Sequence, residues 1–422
     1  MGNLTNVAQW RLCPQCDMTC RIPHLHPGTR ASCPRCHTTL QTEWHGSPWR
    51  SAIYAICALF MLLLANLFPF IGMEVAGLTN QITLLNIPSL LINQNFRSLA
   101  LIFILLVQLL PACCLIFIIL ISSGSILPTP FKKKLTRYLF WLRGWGMAEI
   151  FMAGILVSFV KLMAYGAITL GLSFWAWCLF CILELKAFQS VDRAKLWLSI
   201  EPLPELAQQP EAGRTGLSQG LRRCGCCSAI IHLDSLHCPR CQTKGSARKK
   251  QSIQLTLALL LTSVILYIPA NVLPIMVTDA LGDATGSTIM AGVALLWNDG
   301  SWPIALVIFI ASIMVPCLKM LAIGWLSYGV KSRRQPDLHR LNLVYELVEL
   351  VGRWSMIDVF VIAILSALVQ IGGLMSVYPA WGVILFAVVV ILTMLASMSF
   401  DPRLLWDRES VTHVEGQDSD SE

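Results

Sequence analysis

The sequence predicts an all-α polytopic membrane protein: eight transmembrane helices in two parallel four-helix repeats, each repeat preceded by a small cytoplasmic zinc-ribbon-like (rubredoxin-like) module. Three observations carry that prediction. The 422-residue chain is 55% hydrophobic and 13% charged, with a mean hydropathy of +0.65, whereas soluble domains carry about 25% charged residues. Its apolar residues form long unbroken runs, so each run closes its own backbone hydrogen bonds as a helix, and a barrel is excluded. The same landmarks also recur, in one order, about 205 residues apart.

Residues 10–45 form the first module, in which "CPQC" supplies Cys13 and Cys16 and "CPRC" supplies Cys33 and Cys36. Paired C-x-x-C knuckles at this separation match a four-thiolate tetrahedral site. A module this small lacks a hydrophobic core, so metal binding supplies its folding energy. The first membrane repeat occupies 50–190, with apolar runs at 51–70, 99–122, 147–165 and 168–186, each near the roughly 20 residues that cross a bilayer. The short hinge "AYGAITLG" divides the last two runs. The hydrophilic residues before the first run carry cysteines in place of a basic leader and are read as containing no cleavable signal.

A linker over 191–219 leads to the second module at 220–246, where "CGCC" gives Cys224 and Cys227 and a second "CPRC" gives Cys238 and Cys241. Cys20 and Cys226 are extra thiols beside the sites, and Cys226 is the alternative ligand of its knuckle. Residues 251–400 hold the second repeat, with runs at 252–276, 303–327, 354–371 and 380–399. The acidic tail 401–422, ending "EGQDSDSE", has a disordered composition. Zn2+ is expected at both four-cysteine sites, with iron as the alternative. Four cysteines leave no open coordination position, which argues against a catalytic metal.

Lys and Arg placement sets the orientation. Of 31 basic residues, 27 fall in the N-terminal arm, the 123–146 and 329–353 loops, the 187–251 stretch and the tail. The opposite loops hold Arg97 alone. Both termini and both modules are therefore expected in the cytoplasm, and the +7 net charge reflects orientation rather than a nucleic-acid partner. Duplication is read from "ANLFP" at Ala65–Pro69 against "ANVLP" at Ala270–Pro274, and from Pro111 against Pro316. "WGMAEIF" from Trp145 against "WSMIDVF" from Trp354 shows it again. An even number of crossings per repeat makes the copies parallel rather than inverted.

Charges inside membrane helices are costly and usually functional. Lys319 lies in the sixth run, two turns from Ser312 on the same face, with Pro316 between them; Lys161 lies in the third run. At the repeat offsets Lys319 corresponds to Cys114, Ser312 to Val107 and Lys161 to Gln370, so neither lysine is duplicated. Glu149 and Asp358 are duplicated. Compatible depths group Lys319, Asp358 and Ser355 in one polar cluster, joined by Thr393, as a candidate route for a lipid head group or a proton. The competing readings are snorkelling for the lysines and helix-dipole stabilisation for Glu149 and Asp358.

The stretches "CPQCDM", "CPRCHTTL", "LFMLLLANLFPF", "WGMAEIFMAGILVSFVKLMAYG", "VGRWSMIDVFVIAILSAL" and "FDPRLLWDR" closely resemble the paraquat-inducible protein A family over essentially the whole chain. The resemblance implies a bacterial inner-membrane component of a trans-envelope lipid transport system. It also implies a periplasmic MCE-domain tunnel partner of the paraquat-inducible protein B type, often with a small outer-membrane lipoprotein, and phospholipid as cargo. No ATP-binding loop, H-E-x-x-H or G-x-S-x-G motif occurs, so an enzyme is not expected. Two other readings compete with a proton-coupled transporter subunit. One is a passive anchor for the tunnel protein; the other is a membrane thiol or quinone oxidoreductase.

Overall fold

The computed structural model describes residues 9–23, 25–26, 28–43, 49–75, 78–122, 127–162, 167–206, 209–280, 283–298, 300, 302–331, 338–371 and 375–407. The first head comprises hairpins β1 (Gln9–Leu12)–β2 (Thr19–Ile22) and β3 (Arg30–Ser32)–β4 (Thr39–Thr42). Helix α1 (Trp49–Leu67) follows, then hairpin β5 (Ile71–Val75)–β6 (Leu78–Ile82) and α2 (Asn86–Asn93). Helices α3 (Arg97–Phe103) and α4 (Leu110–Ser122) join through a π-helical turn over Ile104–Leu109. Next come α5 (Thr129–Leu142), α6 (Ala148–Leu162), β7 (Ala167–Leu170), α7 (Leu172–Ser190) and α8 (Arg193–Ile200).

The second half follows a similar order, with one hairpin in its head in place of two and one added strand, Gln370–Ile371. Its head carries hairpin β8 (Leu221–Arg223)–β9 (Ile230–His232), followed by α9 (Ser252–Val272) and hairpin β10 (Met276–Ala280)–β11 (Asp283–Ser287). Then come α10 (Ile289–Asn298), α11 (Trp302–Phe309), a π-helical turn over Ile310–Met314 and α12 (Val315–Lys331). The chain continues through α13 (Leu338–Trp354), α14 (Ile357–Leu368), β12 (Gln370–Ile371), β13 (Met375–Pro379) and α15 (Trp381–Ser399).

Helix α1 shows why these segments suit a bilayer. Its buried stripe is mostly small residues, Ser51, Ala52, Ala55, Ala58 and Ala65, with Leu62 among them, which let α4 and α7 approach closely. Its opposite face, Ile53, Ile56, Phe60 and Leu63, is exposed and equally apolar, a pattern that lipid accepts and water does not. At 19 residues it spans about 28 Å, close to the hydrocarbon thickness. Helix α9 packs against α15 in the corresponding way. Seven helices among the described residues are long and apolar enough to cross a membrane.

Helix α6 is shorter, at 15 residues, and the run expected at 354–371 is divided. Helix α13 continues to Trp354, the chain turns at Ser355 and Met356, and α14 begins at Ile357. Both π-helical turns sit just before a proline, Pro111 and Pro316. A proline cannot donate to the carbonyl one turn earlier, and the widened turn accommodates this. One carbonyl of the second turn, that of Ile313, accepts from Tyr267 Oη at 3.4 Å.

An all-α fold was expected, yet the end of the membrane unit away from the heads carries two small sheets. Strands β6-β5-β7 form one and β11-β10-β13-β12 the other. In the first, Ile71 faces Ile82 and Leu170; in the second, Met276 faces Ser287 and Pro379. These partners are displaced by 205 residues on the hairpin and 209 on the third strand, so the two sheets share one register. The "ANxxP" motif finds its role at this junction. The Pro69 carbonyl passes so close to Gly171 that a Cβ there would lie 1.9 Å from it, and Pro274 crowds Gly382 at 2.5 Å. The motif is a packing joint between the end of one helix and the start of another.

The halves meet along α6 and α14. A Cβ on Gly154 would come within 3.3 Å of Phe360 Cβ, and Phe151 and Phe103 pack edge-to-face on Phe360 with centroids at 5.8 and 6.4 Å. Every residue of α14 from Val359 to Leu368 is buried, as an all-round apolar helix requires.

Candidate functional site

Each head gathers four thiols. Cys13, Cys16, Cys33 and Cys36 form one buried cluster and Cys224, Cys227, Cys238 and Cys241 the other, with the sulfurs of each cluster within 4.8 Å of one another. The Cys13–Cys36 and Cys16–Cys33 separations are 3.3 and 3.5 Å, and Cys224–Cys241 and Cys227–Cys238 are 3.5 and 3.6 Å apart. A tetrahedral thiolate site with metal–sulfur bonds of about 2.3 Å places its sulfurs about 3.8 Å apart, so both clusters fit a metal ion.

All four knuckles share one backbone. The residue after each second cysteine, Asp17, His37, Ser228 or Gln242, has φ between 55° and 59°. Its N–H donates to the carbonyl of the first cysteine, at 2.7 to 3.1 Å. This geometry recruits Cys224 and Cys227 and leaves Cys226 half-buried outside the cluster. Cys20 likewise lies outside the first cluster.

The heads cross over. The first packs against Leu326 and Val330 of α12, Leu341 and Tyr345 of α13, and Phe400 and Trp406 after α15, all in the second half. The second head packs on Trp197 of α8 and Phe140 of α5, in the first half. Arg248 at the root of α9 donates to Asp17 at 2.8 Å and to Asp407 at 2.5 Å. Burial works against the Arg248 charge, but the two carboxylates outweigh it and raise its pKa above the ordinary value. The heads also touch each other, since Leu12 packs with Leu221 and Ile230, and the linker ties onto the first head, where Thr19 N–H donates to the Arg214 carbonyl at 2.8 Å and Gly216 N–H to the Asp17 carbonyl at 2.8 Å. The order of elements in the chain is therefore not the order of their contacts.

Lys319 lies on α12 with 3% of its surface exposed. Its Nζ donates to Gly352 O at 3.2 Å and to Thr393 Oγ1 at 3.0 Å. Gly352 belongs to the last turn of α13, where carbonyls lack intrahelical donors and carry the negative end of the helix dipole. Thr393 donates its own proton to Val390 O at 2.9 Å, which leaves its oxygen free to accept from the lysine. The Lys319 Nζ is thus held by neutral oxygens at the α13–α14 break.

The other residues singled out from sequence spread around that break and along the second π-helical turn. Ser355 lies in the break, and its buried Oγ has no hydrogen-bond partner among the described residues. Asp358 is half-buried in the first turn of α14, and Ser312 is buried in the π-helical turn. Glu149 is exposed on the first turn of α6, in the other half. Lys161 falls on the last turn of α6, and its side chain lies outside the described residues.

Two features escaped the sequence reading. Glu184 on α7 is buried, and its place near a helix end gave no hint of that; the repeat offset, which pairs it with Thr393, is the signal that could have flagged it. At the sheet end, Asn80, Gln81, Asn86, Ser89 and Gln370 line a cavity of about 280 Å³. There Asn80 Nδ2 donates to Leu368 O at 3.0 Å and bridges the halves.

These features define a class, a polytopic membrane protein with two four-cysteine heads. The family model for paraquat-inducible protein A matches residues 49–201 and 253–410, one segment in each half. The chain belongs to that family. It is 59% identical over 404 residues to the intermembrane transport protein PqiA of Escherichia coli K12, covering 96% of this chain and 97% of that protein. Identity to the lipophilic envelope-spanning tunnel protein A of the same organism is 28%, covering 94% of this chain and 91% of that one. A probable intermembrane transport protein of Haemophilus influenzae is 25% identical, with 94% and 96% covered. No solved structure matches the chain.

Proposed function

We propose that this chain is the inner-membrane component of a trans-envelope transport system, moving phospholipid or a similar amphiphile between that membrane and a periplasmic MCE-domain tunnel. The observation that carries the reading is Lys319, a basic side chain buried within an apolar span and held by Gly352 O and Thr393 Oγ1. A charge in that setting is costly and marks a path for substrate or protons. The names of the relatives, intermembrane transport and envelope-spanning tunnel, support the same reading. Lys319, Thr393, Ser355, Asp358 and Ser312 form the path in the second half, and Lys161 and Glu149 are the path residues of the first. A lipid phosphate or a transferred proton is the natural partner of the lysine.

In this reading α6 and α14 are the third and seventh of eight crossings. They measure about 22 and 18 Å, and the strands that follow them complete the passage. Both termini and both heads face the cytoplasm, where zinc holds each head together and makes it a rigid brace rather than a reaction centre. The chain performs no catalysis; an MCE-domain protein of the paraquat-inducible protein B type and an outer-membrane lipoprotein complete the system.

A photocrosslinking amino acid at Ser312 tests the path. Phospholipid captured there in native membranes is the expected result. Capture only from lipid-facing controls such as Phe60 would leave the chain as a passive anchor.

A further inference from the structure

The first half holds a buried acid that this reading does not use. Glu184 lies in the second half of α7 with 2% of its surface exposed, and its Oε2 has no hydrogen-bond partner among the described residues. Displaced by the α7-to-α15 offset, Glu184 falls on Thr393, while Cys114 of α4 falls on Lys319. One two-position site therefore occurs twice, filled by lysine and threonine in the second half and by cysteine and glutamate in the first. Glu149 falls on Asp358 in the same way.

Cys181, one turn before Glu184, donates to Ala148 O at 3.8 Å. This contact sets the acid against the first turn of α6, where Glu149 is a like charge. Cys114 of α4 interacts electrostatically with the acid. Helix α1 runs antiparallel to α7, as shown by Ser173 Oγ donating to Phe68 O at 2.8 Å, so Arg50 and Tyr54 lie at the same end. Arg143 is placed over Phe188 at 5.3 Å.

An ionised carboxylate with one buried oxygen left unpaired is strongly disfavoured in such apolar surroundings, so the group must hold a proton or a cation. Hard cations need a cage of oxygens, whereas the groups that interact with Glu184 include two soft thiols, Cys114 and Cys181. We propose that Glu184 is a second proton-binding site, loaded from the head end past Glu149. The proposal rests on the transport reading for the use of the proton, not for its binding.

The test uses the full chain in nanodiscs and the hydrophobic reagent dicyclohexylcarbodiimide, which couples to protonated carboxyls in apolar settings, with peptides quantified by mass spectrometry across pH. Labelling at Glu184 is expected, falling as pH rises and absent in Glu184→Gln. Glu149→Gln removes the like charge and moves the midpoint down by about one pH unit. Lys319→Met leaves labelling unchanged. Three results would overturn the site: no labelling in protein that melts normally, a midpoint unmoved by Glu149→Gln, or protection by sodium at constant pH. Labelling as expected with no lipid crosslink at Ser312 would instead sink the transport reading and leave the proton site standing.

Discussion

The two halves of the membrane unit share their sheet register but not their buried polar groups. Strand partners and the prolines beside the π-helical turns recur at fixed offsets, and each half has a proline–glycine joint, Pro69/Gly171 and Pro274/Gly382, with the glycines displaced by two further residues. At one pair of core positions, however, the first half has Cys114 and Glu184 and the second has Lys319 and Thr393. Backbone architecture tolerates little change, because a shifted register would turn a whole face of side chains outward. A buried side chain can change its chemistry while the frame stays fixed, so the asymmetric positions are where function is to be sought.

The largest expected effect concerns the heads, whose four knuckles share one backbone conformation. Cys16→Ser and Cys227→Ser should each lower bound metal from two ions per chain to one, and unfold one head, because a structural thiolate site contributes about 10 kcal/mol or more. Cys226→Ser should leave the metal content at two. Elemental analysis of purified protein decides all three, and loss of metal in the last would redraw the second cluster.

Next comes the seam between the halves. Gly154→Leu would press on Phe360 and should cost about 1–3 kcal/mol in detergent unfolding. Gly292→Leu on α10, where nothing lies within 4 Å of a new Cβ, should change little. Equal effects would deny that α6 and α14 form the seam.

Removing Arg248 strands Asp17, whose side chain is 2% exposed, so Arg248→Ala should cost about 2 kcal/mol, at the low end for a part-buried pair. Lys195→Ala breaks a pair that is half open to solvent and should cost less than about 1 kcal/mol. Similar losses for the two would show that the crossing of the heads is not fastened at Arg248. Smallest of all, Asn80→Ala removes a hydrogen bond across the halves and should lower stability by about 1 kcal/mol in the same unfolding assay.

Features set by local spacing were legible in the sequence. Eight cysteines at knuckle separations announced the heads, and apolar runs announced the long helices. What escaped depends on distant partners. Strand β5 pairs with β7 almost a hundred residues later, and strands this short, rich in Thr, Gly and Asn, carry no period that marks them. The break at Ser355–Met356 is hidden because hydropathy does not fall there. Ser355 and Lys319 were grouped by depth, but their relation to the open end of α13 needed the structure. Lys319 was conspicuous as a charge in an apolar run, whereas Glu184 passed as an ordinary residue near a helix end.

The central claim is that a duplicated frame works through the charge that only its second half carries. Phospholipid transfer from vesicles containing the chain to its tunnel-forming partner, compared between Lys319→Met and Cys114→Ser, tests it most directly. The account predicts at least about a tenfold loss for Lys319→Met, equivalent to about 1.4 kcal/mol in the barrier, with Cys114→Ser near the unmodified rate. Transfer at the full rate by Lys319→Met would contradict it.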